Sequence, residues 1–231
     1  QHAALEQTAF ARVDEIAGET LGSVLYITRN DARRSEVEDR WAETHRPLRL
    51  TAETLDAVVL DWYEATHGPV EPLRGQLNRR LAEYALDATA DTPGALAAGV
   101  TTASELAATF ADSPLDSRIA DATVDAYRSY RQLTADHTAD WTTTRGEQYA
   151  AVTNTDTPFA AFAPEVDVVV LSGYHEFRPV ERQLLARLVD EVPVIALLAR
   201  HHDGQTGVDA VASDAFEVYE SLDFETERIA P

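Results

Sequence analysis

Two apolar runs near the end of the chain, Val166 to Leu171 and Val192 to Leu198, constrain its fold more than any other feature. Each has the length of a strand and is almost continuously apolar, the pattern of strands buried on both faces of a parallel sheet. Between them, Arg178 to Asp190 has the length and apolar spacing of a helix. Parallel neighbours need a crossover of this kind, and successive strand–helix–strand units wind right-handed into an open sheet. The N-terminal part repeats the pattern. Ser23 to Thr28 (SVLYIT) is β-rich, Asp31 to Thr44 is helical, and Leu48 to Thr51 is a second short strand. Thr54 to Thr66 then carries Leu55, Val58, Val59 and Trp62 on one helical face and ends at His67-Gly68-Pro69. A first helix spans residues 2 to 17 and closes at Gly18 and Gly22.

From Pro69 to Pro158 the spacing predicts helix alone. Gln76 to Ala88 is amphipathic, Asp91-Thr92-Pro93-Gly94 is a break, and Ser104 to Phe110 is a short helix. Pro114 and Asp116 begin a long helix that runs to about Arg145 and carries Ile119, Val124, Tyr127, Tyr130 and Leu133. A last helix covers Ser213 to Leu222. The expectation is an α/β protein with a parallel sheet, its first part in residues 1–68 and its second in 159–231, interrupted by an α-helical subdomain over 69–158.

Charge bears on partners more than on fold. Forty Asp and Glu face 19 basic residues, every one an Arg, for a net charge of −21. A dense carboxylate surface without Lys is a halophilic pattern, and in about 1 M salt a Debye length of ~3 Å screens its self-repulsion. The acidic balance argues against nucleic acid, whose binding depends on neutralising phosphate, but concentrated salt weakens that argument. The chain has no Cys, which excludes disulfides, Cys-ligated zinc, iron–sulfur clusters and thiol nucleophiles. No apolar run approaches the ~18 residues needed to cross a bilayer. No basic-then-apolar leader opens the sequence either. A cytoplasmic chain with no membrane partner is expected.

Three stretches, taken in order, carry a resemblance. SVLYITRNDARRSEVEDRW is a hydrophobic strand followed by Thr-x-Asn and an Ala-containing helix, with Thr28, Asn30 and Ala32 on that pattern. LRLTAETLDAVVLDWYEATHG is a short strand followed by a Thr-led helix, in which Thr51 or Thr54 is the phosphate-facing hydroxyl and Thr54 is equally a helix cap. VDVVVLSGYHEFRPVERQLLARLVDEVPVIALL is the most specific: an apolar strand, then Leu171-Ser172-Gly173-Tyr174, then Phe177-Arg178-Pro179-Val180-Glu181. Together they resemble UvrD/RecB-type helicases, and the third resembles the AddB branch of helicase–nuclease subunits. The resemblance implies a RecA-like, P-loop NTPase type of sheet whose strand ends face single-stranded DNA. Thr28, Arg29, Asn30 and Thr54 are the DNA-binding candidates it implies, and Ser172, Gly173, Tyr174, His175 and Glu176 form a degenerate Walker B loop. The implied partners are single-stranded DNA and a second helicase/nuclease subunit, and the implied process is double-strand break repair.

The departures from that family have chemical content. An ATPase needs a carboxylate at the end of this strand to hold Mg²⁺ and a second to position water. Ser172 and Gly173 supply neither. Glu176 can approach a metal from the loop or stand as a solvated cap. The phosphate loop, Gly-x-x-x-x-Gly-Lys-Ser/Thr, requires a Lys that the chain lacks. Either the loop has degenerated or it precedes residue 1; the second fits a chain that begins with Gln1 and a helix like the one that follows the loop. On this reading the chain has no catalytic residue and no metal site, and ATP and Mg²⁺ belong to a longer protein. The alternative is a degenerate P-loop-like scaffold kept for protein–protein contact.

Other constellations are weaker. His201-His202-Asp203 and His175-Glu176 lack a third ligand at a suitable spacing. Ser23, Ser172 and Ser213 lack a G-x-S-x-G elbow. Tyr127-Arg128-Ser129-Tyr130-Arg131 interleaves aromatics with Arg; such a helix can stack bases or pack half-buried.

Overall fold

The computed structural model describes residues 2–18, 22–44, 46–73, 75–87, 121–175, 177–198 and 216–225. It divides into two compact units, one formed by Gln1–Val58 with Asp156–Pro231 and the other by Val59–Thr155 between them.

The first unit is an α/β layer structure. Helix α1 (His2–Ala17) leads to strand β1 (Ser23–Thr28), a 3-10 turn at Asp31–Arg33, helix α2 (Arg34–Glu43) and strand β2 (Arg49–Glu53). Helix α3 (Leu55–His67) begins here and crosses the unit boundary. In the second unit lie β3 (Glu71–Pro72), α4 (Gly75–Asp87), α5 (Asp121–His137), β4 (Thr142–Thr143) and α6 (Arg145–Asn154). The chain then returns to the first unit with α7 (Phe159–Phe162), β5 (Val166–Ser172), α8 (Pro179–Glu191), β6 (Val194–Leu197) and a final helix α9 over 216–221.

The sheet has the order β2-β1-β5-β6 and every neighbouring pair is parallel. This is the parallel α/β class that the apolar runs demand, and it is consistent with a RecA-like core. Strand β5 is interior, so Val168, Val169 and Val170 are all fully buried although they point alternately to opposite faces. Strand β1 is buried along its whole length for the same reason. On one face Val24, Tyr26, Val168 and Val170 meet Ala9, Phe10 and Val13 of α1 and Val37 and Trp41 of α2. Phe10 meets Trp41 edge-on at 4.8 Å, and the Trp41 indole N–H donates to the Leu48 carbonyl at 2.9 Å, which fixes the turn into β2. Arg46 lies over both rings, at 5.7 and 5.2 Å from their centroids.

Register brings the strand tips together. Thr28 of β1 is paired with Ser172 of β5, and Ser172 in turn with Leu197 of β6. Gly173 then adopts φ +80°, a left-handed conformation that costs a side-chain-bearing residue roughly 1–2 kcal/mol. The chain turns there and starts α8 with a proline in its first turn, where the missing N–H costs nothing.

The second unit departs from the all-helical expectation in its two short strands and in where the long helix ends. The long helix predicted to reach Arg145 stops at His137, and the chain extends at Thr142–Thr143, pairing in parallel with Glu71–Pro72. A new helix starts at Arg145 behind a reciprocal cap in which Thr144 Oγ1 accepts the Glu147 N–H while Glu147 accepts the Thr144 N–H. Consecutive threonines explain the break: β-branched side chains fit an extended backbone, and hydroxyls compete for helical N–H groups. Helices α4 and α5 pack through Leu81, Ala82, Ala85, Tyr130 and Leu133. The helix predicted over Ser104 to Phe110 and the break at Asp91 to Gly94 lie outside the described residues.

Candidate site at the C-terminal edge of the sheet

In open parallel sheets ligands bind beyond the C-terminal ends of the strands. Here that edge is built from the tips of β1 and β5 and the start of α3. Thr28 is buried, and its hydroxyl accepts the Asn30 N–H at 3.2 Å. Asn30 is exposed, and its Oδ1 caps the 3-10 turn by accepting the Ala32 N–H at 3.0 Å. Thr54 Oγ1 accepts the Ala57 N–H at 3.3 Å, the capping role open to it from sequence. These hydroxyl and amide oxygens therefore build the turns at the edge.

Arg29 is the exposed cation of the group. Its Nη2 lies 3.1 Å from Glu181 Oε2, its guanidinium carbon stands 4.9 Å above the Tyr174 ring, and its side chain keeps 40% of its surface in solvent. The same Glu181 Oε2 accepts the Arg178 N–H at 2.9 Å, so one carboxylate oxygen both caps α8 and anchors Arg29. Tyr174 is buried, and its hydroxyl reaches the backbone of Leu55 beside Thr54. Burial first, then the charge of Glu181, raises the phenol well above its ordinary value. Its ring stacks on Phe177 at 5.8 Å, Phe177 meets Tyr219 edge-on at 5.4 Å, and Tyr219 meets Phe224 at 5.0 Å. His175 is half-buried, and Glu176 lies outside the described residues.

Ser172 belongs to a second, buried cluster. Its side chain bonds the Tyr26 hydroxyl, which donates to Glu6 Oε1 at 3.1 Å. Glu6, from α1, is 1% exposed and lies 3.0 Å from Arg33 Nη2 and 2.6 Å from Arg40 Nη1. Arg40 also pairs with Glu36 at 3.1 Å. Two carboxylates and two guanidiniums thus balance one another without any further cation. Burial raises the Tyr26 phenol as well, so it stays protonated through the neutral range.

The fit of these residues to a magnesium ion can be judged from that donor set. Ser172 brings no charge, and the buried carboxylate behind it is already neutralised by arginine. Among the described residues no group of three or more His, Asp and Glu side chains is placed to hold a metal. Among the described residues this edge does not present the carboxylates of a Mg²⁺-nucleotide centre.

The structure thus gathers Thr28, Arg29, Thr54, Ser172 and Tyr174 at one edge. It also brings in Glu6, Tyr26, Arg33, Arg40, Glu181, Tyr219 and Phe224, which the sequence reading did not assign to a site. Glu181 had a readable signal, because Glu two residues after a helix-starting Pro is the capping-box position. Tyr219 had none, since its contact with Phe177 is long-range. Tyr130, in the Arg-interleaved segment, is buried with its hydroxyl on Asn78 Oδ1 at 2.7 Å, so this ring packs the second unit and is closed to bases. His201-His202-Asp203 lies outside the described residues. The chain matches no family model and no curated protein sequence. Among the described residues no helix is long and apolar enough to cross a membrane.

Proposed function

We propose that the chain is the N-terminal, motor-like domain of an AddB/RecB-type helicase–nuclease subunit, holding or scanning single-stranded DNA during double-strand break repair. On this reading ATP hydrolysis has no site among the described residues. The observation that carries the reading is the pairing of Thr28 with Ser172, which sets the two family-like strand tips side by side. Arg29 supports it as an exposed guanidinium at that edge, able to meet a phosphate as an arginine–carboxylate pair exchanges partners.

The burial of Thr28, Ser172 and Tyr174 favours a second reading, a scaffold of the same fold kept for docking a partner subunit. Fluorescence anisotropy with labelled oligothymidine in molar KCl separates the two. Strand-holding requires saturable binding that weakens about three- to tenfold in Arg29→Ala, as expected for loss of one phosphate contact. No binding by the wild type, together with capture of a partner helicase/nuclease subunit, gives the role to the scaffold.

A further inference from the structure

Among the described residues β2 is an outermost strand of the sheet, paired with β1 alone. A strand in that position offers its outward N–H and C=O groups to any chain able to add another strand. Here the crossover helix α2 takes them. Arg34 Nε donates to the Ala52 carbonyl at 2.8 Å, Glu38 Oε1 accepts the Ala52 N–H at 3.0 Å, and the Trp41 indole N–H holds the Leu48 carbonyl just before the strand. These three residues follow one another at spacings of four and three on α2, so they form a single stripe along the helix. Ala52 is fully buried in spite of its place in an outermost strand. Side chains hold both of its backbone groups, so no further strand pairs with it. Arg34 is itself fixed by Asp31 on Nη1 at 3.0 Å and by Glu53 on Nη2, which commits every nitrogen of its guanidinium.

We propose that Arg34 and Glu38 are an edge guard, closing β2 against strand addition by a second copy of this chain. A second copy is the occupant that such an edge invites, because a two-fold axis sets the same strand against itself with the same residues on both sides. The strand is five residues long, and alternate residues turn their groups outward, so the loss of Ala52 leaves too short a ladder for a partner. Net charge cannot do this work in concentrated salt. At −21 the copies repel one another in dilute buffer, but a Debye length of ~3 Å in about 1 M salt removes that repulsion at any useful distance. Hydrogen bonds from charged side chains to a buried backbone act at contact and survive the screening. The guard is independent of whether the chain holds DNA or serves as a scaffold.

The test compares the full-length wild type with the double variant Arg34→Ala, Glu38→Ala in molar KCl. Sedimentation velocity over a range of concentrations reads association, and hydrogen exchange at the Ala52 amide reads the edge. The double variant loses one charge of each sign, so its net charge stays at −21. When dilute it should exchange at Ala52 about tenfold faster than wild type. When concentrated its sedimenting mass should double, with protection at Ala52 returning as the two strands pair. Glu38→Gln keeps an acceptor for the Ala52 N–H and should behave as wild type, and Glu38→Ala alone serves should the double variant not fold. A folded double variant that keeps the wild-type mass at every concentration overturns the guard. So does one that dimerises without regaining protection at Ala52, since the copies then meet elsewhere. Wild type whose Ala52 protection rises with concentration shows an edge that is already open, and association by Glu38→Gln as strong as by the double variant assigns the effect to charge; either result sinks the proposal.

Discussion

Glu6 shows what folding asks of one charged residue. Its carboxylate is taken almost wholly out of water, and Arg33, Arg40 and Tyr26 replace the lost hydration. Such a cluster adds little net stability when complete, because desolvation offsets attraction, but breaking it from one side is expensive. Glu6→Ala, which leaves two guanidiniums without their buried counter-ion, should lower the unfolding free energy in urea by about 3–5 kcal/mol. The triple variant Glu6→Leu, Arg33→Met, Arg40→Met should recover most of that loss, since the buried carboxylate and its two guanidinium partners leave together and only the exposed Glu36 remains. A single-variant loss under 1 kcal/mol would show that water reaches the cluster. Nothing in the sequence marked Glu6. It sits among 40 acidic residues, and only its distance to Arg33 of the 3-10 turn and Arg40 of α2 sets it apart.

At the scale of elements, local chemistry explains where helices begin more reliably than where they were expected to end. The reciprocal Thr144–Glu147 cap starts α6 within a stretch whose apolar spacing continues the preceding helix. Thr144→Ala should cost about 1 kcal/mol, the usual loss for a cap. A double-mutant cycle with Glu147→Ala should return a coupling of about 0.5 kcal/mol or more, because each side chain serves the other's backbone. Additive losses would mean that the two hydrogen bonds act independently. The strands behaved differently. The boundaries of β1 read from sequence are those observed, Ser23–Thr28, because a run buried along its length has no ambiguity of face. Strand β6 came out shorter than its apolar run, at Val194–Leu197. Pro193 precedes it, and although Pro cannot donate to a sheet, its carbonyl accepts the Val169 N–H at 2.9 Å.

Across the whole molecule, alkaline stability follows from three tyrosines. Burial is the first cause raising the phenols of Tyr26, Tyr174 and Tyr219 above their ordinary value of 10.0. Below that value both folded and unfolded chains keep these protons, and the contribution is fully present. Above it the unfolded chain releases protons that the folded chain retains, so stability falls as pH rises toward the folded values. Each tyrosine should contribute a slope of up to about −1.4 kcal/mol per pH unit in urea titrations begun at pH 9. Tyr219→Phe should remove roughly a third of the combined slope. A flat profile to pH 11 would mean that the phenols ionise as easily folded as unfolded.

Composition and periodicity by themselves determined the class of this protein, because a β-branched run longer than one exposed face can use must be buried on both sides, and only a parallel sheet under helices does that. They determined equally that no lysine-dependent phosphate loop lies within the chain. The tertiary structure alone decided which side chains share the sheet edge, since Arg29 meets Glu181, Glu6 meets Arg40, and Phe177 meets Tyr219 across separations that no local spacing encodes. The physical reason is that burial pattern follows from a residue's own neighbours in sequence, whereas the partner of a charge or a ring is set by how whole elements pack.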